Sequence, residues 1–162
     1  MKRTIMLMAT MTLTVLLACG VALAAEIQCS GDADCFGTNQ ADTLTGTAEG
    51  DTIFGLGGPD LIYGLAGTDL LFGGSGGDEI RGGADGDLLN GAGGADELRG
   101  GGGADEIHAG NGDDTVIGGA GIDDIVVNGD QQYGFQDEVF CQGDAELVSA
   151  DPNDILHDCV VN

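Results

Sequence analysis

Tryptophan is absent from this chain of 162 residues, proline occurs twice, and lysine and arginine together occur four times. So few basic residues exclude a nucleic-acid-binding surface built on basic patches. Only 4% of the residues are aromatic and 32 are glycine, which excludes a wide core of large side chains. The 28 acidic residues give a formal net charge of -24, which is typical of disordered chains. A disordered chain, however, lacks regularly spaced aliphatic residues, and this sequence has them.

The first residues have the pattern of an export signal. Two basic residues follow the first methionine, residues 5–17 are apolar or small, and residues 22–24 read Ala-Leu-Ala, a small-residue cleavage site. The apolar run is shorter than the roughly 20 residues that a membrane-spanning helix needs. We therefore predict a signal peptide over residues 1–24 and a secreted protein with no integral membrane span. The alternative is a lipid anchor at the cell surface through Cys19.

Four cysteines follow the predicted signal peptide: Cys29, Cys35, Cys141 and Cys159. An even number of cysteines in an oxidising compartment indicates two disulfides. Because two cysteines lie near each end of the remaining chain, we favour the pairs Cys29–Cys35 and Cys141–Cys159. A zinc site of four thiolates is the rival interpretation, but no pair has the two-residue spacing of a zinc knuckle.

The strongest pattern is an internal repeat of nine residues. Aspartate recurs at every ninth position, ten times in a row: Asp42, Asp51, Asp60, Asp69, Asp78, Asp87, Asp96, Asp105, Asp114 and Asp123. An aliphatic residue stands two places after each: Leu44, Ile53, Ile62, Leu71, Ile80, Leu89, Leu98, Ile107, Val116 and Ile125. Glycine-rich segments separate these units.

Elementary geometry gives each unit a shape. The aspartate and the aliphatic residue two places later share strand parity, so both face the same side of a short strand. The glycines accept positive φ and allow a tight turn. Nine residues thus make one strand and one turn, and two units close a coil of eighteen residues. The sequence predicts an all-β fold, a parallel β-roll (β-solenoid) over residues 37–127.

Stacking the coils places like charges in columns. Neighbouring strands lie about 4.8 Å apart, and two carboxylates at that distance repel by roughly 3 kcal/mol at an effective dielectric constant near 20. Ca²⁺ removes this repulsion because it binds six to eight oxygens from carboxylates and backbone carbonyls. Five aspartates on each side leave four gaps per column, so we expect about eight Ca²⁺ sites.

The repeat Gly-Gly-x-Gly-x-Asp-x-aliphatic-x resembles the hemolysin-type, or RTX, calcium-binding nonapeptide family. The match covers about residues 37–127 and is best at residues 73–81, 100–108 and 118–126. The resemblance implies that Ca²⁺ binds between turns i and i+2 through the Asp carboxylates and the turn carbonyls, so all ten aspartates become candidate ligands. The sequence departs from the pattern at Thr38, Asn39 and Gln40, at Glu49, at Asp85 and at Ala109.

The repeat breaks down after Ile125. It resumes at Asp137 and, nine residues later, at Glu146, but nine residues after Glu146 stands Ile155 instead of an acid. We interpret residues 128–162 as a degenerate C-terminal capping coil, closed by cysteines one full coil apart. Residues 25–36, with the other disulfide, are predicted to cap the first end.

We therefore predict extracellular calcium binding by a β-roll that folds on Ca²⁺ and serves as a structural or binding module. The chain has no His-Glu-x-x-His motif, and too few residues lie outside the array for a catalytic domain, so we expect no enzymatic activity. The alternatives are a non-catalytic surface-recognition protein, for adhesion, glycans or ice, and a remnant tail module of a secreted enzyme. Calcium is the partner that the sequence indicates; it names no protein partner.

Overall fold

A computed structural model of the protein describes residues 24–30, 34–127, 134–142 and 147–159. Every regular element in these residues is a β-strand. No helix among them is long and apolar enough to cross a membrane. The predicted signal peptide, apart from its last residue, and the predicted anchor at Cys19 lie outside the described residues. So do residues 128–133, 143–146 and 160–162 of the predicted capping coil.

The strands follow the repeat along the chain. They are β1 (Glu26–Gln28), β2 (Cys35–Phe36), β3 (Thr43–Thr45), β4 (Thr52–Gly57), β5 (Leu61–Ala66), β6 (Leu70–Ser75), β7 (Glu79–Ala84), β8 (Leu88–Gly93), β9 (Glu97–Gly102), β10 (Glu106–Asn111), β11 (Thr115–Ala120), β12 (Asp124–Val127), β13 (Glu138–Phe140), β14 (Leu147–Ala150) and β15 (Ile155–His157). The odd-numbered strands form one sheet in sequence order, and the even-numbered strands form the other.

All strand pairs are parallel, and within the array each pairs with the strand one coil later. Thr43 of β3 lies opposite Leu61 of β5, and Thr52 of β4 lies opposite Leu70 of β6. These offsets of eighteen residues equal two repeats, so each coil gives one strand to each sheet. The predicted parallel β-roll is confirmed.

The core is a ladder of single aliphatic side chains along each sheet. All ten aliphatic residues of the repeat are 0% exposed: Leu44, Ile53, Ile62, Leu71, Ile80, Leu89, Leu98, Ile107, Val116 and Ile125. Val139 in β13 extends one ladder past the repeat, and Val127 is a second buried residue of β12 beside Ile125. Because each coil buries one such residue per sheet, the core is narrow and needs no tryptophan.

Both predicted disulfides are present near the ends of the roll. Cys29–Cys35 joins the residue after β1 in one sheet to the first residue of β2 in the other. Cys141–Cys159 joins the residues that follow β13 and β15, which are neighbours in one sheet. The first disulfide ties the two sheets together, and the second ties the last two coils.

The last coils depart from the eighteen-residue offset. Thr115 of β11 pairs with Glu138 of β13, 23 residues later, and Glu138 pairs with Ile155 of β15, only 17 residues later. Counting by nine put Ile155 where the next acid was expected. The structure instead places Asp154 in line with Asp137, because this coil is one residue shorter than the others.

Candidate metal centre

Two columns of aspartates run along the roll, one beside each sheet. The backbone N–H of each repeated aspartate from Asp42 to Asp114 donates a hydrogen bond to Oδ1 of the aspartate one coil later. The N–O distance is 2.7 Å from Asp78 to Asp96 and 3.0 Å from Asp105 to Asp123. All ten aspartates of the repeat are buried, with at most 5% exposure. One carboxylate oxygen of each bonded aspartate is therefore part of the backbone ladder.

The backbone carbonyls of the aspartates are also engaged. The N–H of Leu61 donates to the Asp42 carbonyl at 2.9 Å, and the N–H of Glu79 donates to the Asp60 carbonyl at 2.8 Å. The pattern repeats along both columns. These bonds hold successive coils in register. Because Oδ1 and the backbone carbonyl are already bonded, Oδ2 is the remaining acceptor oxygen of each aspartate.

In the middle of the array, Oδ2 is buried without a hydrogen-bond partner. This holds for six aspartates: Asp60, Asp69, Asp78, Asp87, Asp96 and Asp105. A buried charged oxygen without a partner is costly, since burial removes its hydration and nothing replaces it. Six such atoms at equivalent places in a repeat point to a group that this chain does not itself supply.

The space beside each of these oxygens is lined by further acceptors. We call the six residues that end in each repeated aspartate a hexad, for example residues 100–105. A Cβ built on Gly100, the first residue of its hexad, would lie 2.2 Å from Oδ2 of Asp105 and 2.6 Å from the carbonyl oxygen of Gly118 in the next coil. Glycine is required there by this close approach.

Carboxylate and carbonyl oxygens facing one small space are the donor set that a hard cation such as Ca²⁺ prefers. The next carboxylate of the column lies one coil away, where its Oδ1 accepts the backbone N–H of the preceding aspartate. Within the described residues, no three side chains of His, Cys, Asp or Glu converge on one point. The residues present thus fit Ca²⁺ held by the carboxylates of two successive coils together with turn carbonyls.

The turns adopt a left-handed conformation at the second residue of the hexad. In eight successive hexads this residue has φ between 74° and 128°: Leu56, Leu65, Gly74, Gly83, Ala92, Gly101, Gly110 and Gly119. A leucine in this region of φ is strained. Leu56 and Leu65 nevertheless keep the turn shape that the glycines adopt without cost, and in their hexads Oδ2 of Asp60 and Asp69 has no donor.

Burial also raises the pKa of these carboxyls. The pKa rises to about 6 for Asp60, Asp96 and Asp105 and to about 7 for Asp87, in each case mainly because burial disfavours the charged form. Backbone hydrogen bonds oppose this rise, and neighbouring aspartates of the column add to it. Without a cation, the ionised carboxylates of each column are therefore destabilised by burial and by repulsion from their neighbours.

The raised pKa values predict how the calcium-depleted protein responds to pH. Between about pH 4 and about pH 7, the folded chain binds more protons than the unfolded chain, so its stability falls as the pH rises. Lowering the pH of calcium-depleted protein from about 7 to about 4.5 should therefore increase its β-sheet content. Far-ultraviolet circular dichroism at the two pH values measures this.

The matched control is the same protein saturated with calcium at neutral pH. There the carboxylates are shared with the cation, and protonation competes with binding, so acidification should weaken the roll rather than strengthen it. Calcium-depleted protein that loses β-sheet content on acidification would contradict the prediction.

The structure treats the predicted ligands unequally. Besides the six aspartates with an unpartnered Oδ2, Asp114 and Asp123 are buried in the columns and accept N–H bonds through Oδ1. The hexad of Asp114 begins with Ala109, which is fully buried, where each earlier hexad begins with glycine. Asp42 and Asp51 are buried too, but their Oδ2 atoms have donors.

The column that starts at Asp42 contains two further aspartates, Asp137 and Asp154, which do not lie a multiple of nine residues after Asp123. The N–H of Asp114 donates to Oδ1 of Asp137 at 2.9 Å, and the N–H of Asp137 donates to Oδ1 of Asp154 at 3.2 Å. Oδ2 of Asp154 accepts the N–H of Asp151 at 2.6 Å, which closes the column with a local bond. Asp137 begins a recognisable Asp-x-aliphatic unit; Asp154 carries no such signal because its coil is one residue short.

A β-roll whose columns of buried carboxylates face turn carbonyls defines a class of repeat protein that binds cations between its coils. The comparison with known families agrees: a family model for the RTX calcium-binding nonapeptide repeat (4 copies) matches residues 36–71, 45–80, 63–98, 72–107 and 90–125. Together these matches cover more than half of the chain, and the chain belongs to this family. No curated protein matches it.

Proposed function

We propose that this protein is an extracellular calcium-binding module that folds on binding Ca²⁺ and has a structural role. The observation that carries the proposal is the set of six buried Oδ2 atoms that have no hydrogen-bond donor and lie beside a backbone carbonyl oxygen of the next coil. In this proposal the ligands are the column carboxylates and turn carbonyls, and the module has no catalytic role.

The charge of the chain supports coupling between folding and binding. The formal net charge is -24, and the columns concentrate carboxylates at the spacing of neighbouring strands, where each pair repels by roughly 3 kcal/mol at an effective dielectric constant near 20. A narrow ladder of one aliphatic residue per strand offers limited hydrophobic compensation. Ca²⁺ supplies the missing positive charge, so its binding free energy becomes folding free energy.

The proposed extracellular location has two supports besides the export signal in the sequence. Two disulfides are typical of proteins in oxidising compartments. Extracellular calcium modules bind with dissociation constants of about 10⁻⁴ to 10⁻³ M. The family of the chain is a calcium-binding one, which suits a location where calcium is abundant.

The test is a Ca²⁺ titration of the calcium-depleted, oxidised protein at neutral pH, followed by far-ultraviolet circular dichroism. We expect a cooperative transition to β-sheet at about 10⁻⁴ to 10⁻³ M Ca²⁺. Mg²⁺ is the control, because it demands octahedral geometry and dehydrates reluctantly, and should not produce the transition. A spectrum that is the same with calcium and with a chelator would refute the proposal.

A second candidate function, recognition of a surface, is favoured by the outward face of the even-numbered sheet. Phe36, Phe54 and Phe72 stack on successive strands, with ring centroids 5.1 Å and 4.9 Å apart. Phe36 is 53% exposed, and the neighbouring Leu70 is 40% exposed. Exposed apolar residues in a regular row fit a flat apolar or glycan surface.

The opposite outward face has no such row of stacked phenylalanines among the described residues, and it carries two Arg–Glu pairs. On the odd-numbered sheet Arg81 pairs with Glu79 and Arg99 pairs with Glu97. If the even-numbered face binds a surface, replacing Phe36, Phe54 and Phe72 with Ser should abolish adsorption to an insoluble glycan while leaving the calcium transition in place. Adsorption that persists in this variant would remove the second candidate.

A further inference from the structure

The first two hexads satisfy their carboxylates with donors from the protein. Oδ2 of Asp42 accepts the backbone N–H of Thr38 at 2.6 Å and the Thr38 hydroxyl at 2.8 Å. Oδ2 of Asp51 accepts the backbone N–H of Thr47 at 2.6 Å and the Thr47 hydroxyl at 3.0 Å. These are the oxygens that correspond to the unpartnered Oδ2 atoms of the six following hexads, from Asp60 to Asp105.

The backbone of these two hexads also differs. Thr38 and Thr47 occupy the second position, where the eight following hexads have a residue with positive φ, but neither threonine has positive φ. A β-branched residue strongly disfavours that conformation. The threonine therefore keeps a turn in which its N–H points at the carboxylate, whereas no N–H reaches Oδ2 in the six following hexads, from the one that ends in Asp60 to the one that ends in Asp105.

The donors occupy the place that a cation would need. Each threonine aims an N–H and an O–H hydrogen at the same carboxylate oxygen, and charge-assisted hydrogen bonds of this length are strong. The carbonyl oxygens of Gly55 and Gly64 line these spaces as in the later hexads, but a cation at either Oδ2 would also meet the hydrogens of two donors. The two kinds of hexad thus stabilise the same buried charge in mutually exclusive ways.

We propose that Thr38 and Thr47 replace calcium in the first coil, so that Asp42 and Asp51 bind no Ca²⁺. The inference rests on the proposed calcium-binding function and reduces the number of sites from about eight to six. The six sites are the gaps that begin at each aspartate with an unpartnered Oδ2: Asp60, Asp69, Asp78, Asp87, Asp96 and Asp105. The first coil then keeps its carboxylates satisfied at any calcium concentration.

Native mass spectrometry of the oxidised protein at saturating calcium tests this count. The unaltered protein should carry six Ca²⁺, counted from the six unpartnered Oδ2 atoms. Replacing Thr38 and Thr47 with Gly gives both hexads the family's residue at the second position and should raise the number to eight. Thr68→Gly is the matched control, since Thr68 is exposed and lies at the fifth position of its hexad; it should leave the number at six.

A count of eight in the unaltered protein, or six in the Thr38→Gly, Thr47→Gly variant, would overturn the inference while leaving calcium binding intact. A count of zero would instead refute the proposed function itself. The two failures are therefore distinguishable in one measurement.

A second pair of variants keeps the inference testable if the double glycine variant does not fold. Asp42→Asn with Asp51→Asn should keep six Ca²⁺ at saturating calcium, because these carboxylates are not ligands. Asp78→Asn with Asp87→Asn changes two residues of the same columns and should lose at least two Ca²⁺. Loss of calcium from the first variant would overturn the inference.

Discussion

Replacing Leu71 with Ala is expected to lower the free energy of unfolding by about 2–5 kcal/mol at saturating calcium. Leu71 is 0% exposed and lies in β6, opposite Ile53 of β4 and Leu89 of β8. The core has one such residue per strand, so no second layer of side chains can move into the cavity. Urea denaturation followed by circular dichroism measures the loss.

The neighbouring residue gives a matched control. Leu70→Ala removes the same atoms one position earlier in the same strand, but Leu70 points outward and is 40% exposed. Its cost should stay within about 0.5 kcal/mol. Equal losses in the two variants would contradict a core built from single aliphatic ladders.

Most of the fold follows from the sequence because its decisive interactions have short, fixed separations. In many β folds strand pairing depends on distant segments, but here every strand of the array pairs with one eighteen residues away. The aspartates and aliphatic residues mark that offset directly, and burial of all ten aliphatic residues follows from strand parity. The same regularity placed the aspartates in two columns.

The end of the roll could not be derived in this way. The offsets of 23 and 17 residues around β13 depend on how many residues leave the repeat between coils. Outside the repeat only weak signals remain, namely one Asp-x-aliphatic unit at Asp137 and none at Asp154. Counting by nine therefore put Ile155 in the column of aspartates, where the structure has Asp154. The disulfide between Cys141 and Cys159 nevertheless indicated that a coil closes there.

The sequence also did not show which of the repeated aspartates accept hydrogen bonds from a threonine through Oδ2. Thr38 appears there as a departure from a glycine pattern, but Leu56 and Leu65 depart from it as well. What separates them is the sign of φ at the second position, together with the donors that this sign brings to the carboxylate. Leucine adopts the left-handed conformation at some cost in conformational energy, whereas threonine strongly disfavours it. Only the structure shows which conformation each turn adopts.

The second large effect concerns the glycine that closes each site. Gly100→Ala should remove one Ca²⁺ and lower the stability of the calcium-saturated roll by about 1–3 kcal/mol, the usual cost of overpacking. The added Cβ would lie 2.2 Å from Oδ2 of Asp105 and 2.6 Å from the Gly118 carbonyl oxygen. The carbonyl belongs to the backbone of the next coil, so it cannot move without breaking the ladder. Calcium counting and urea denaturation measure both consequences.

Gly102, two residues later in β9, is the control. A Cβ on Gly102 meets no atom within 4 Å, and Gly102 does not have positive φ. Gly102→Ala should therefore keep every Ca²⁺ and stabilise the roll by about 0.4–1 kcal/mol, because alanine restricts the unfolded chain. The two changes are chemically identical and should have opposite signs.

The calcium dependence of the Gly100→Ala effect separates two causes. If the Cβ only crowds the carboxylate, the loss of stability should be the same in the calcium-saturated protein and in the calcium-depleted protein at about pH 4.5, where protonation stabilises the roll without calcium. If it occupies the space of the cation, the loss should be larger in the calcium-saturated protein, since the variant then also forgoes the binding free energy of one site. We expect the second result, and equal losses under both conditions would show that the space beside Asp105 is not a calcium site.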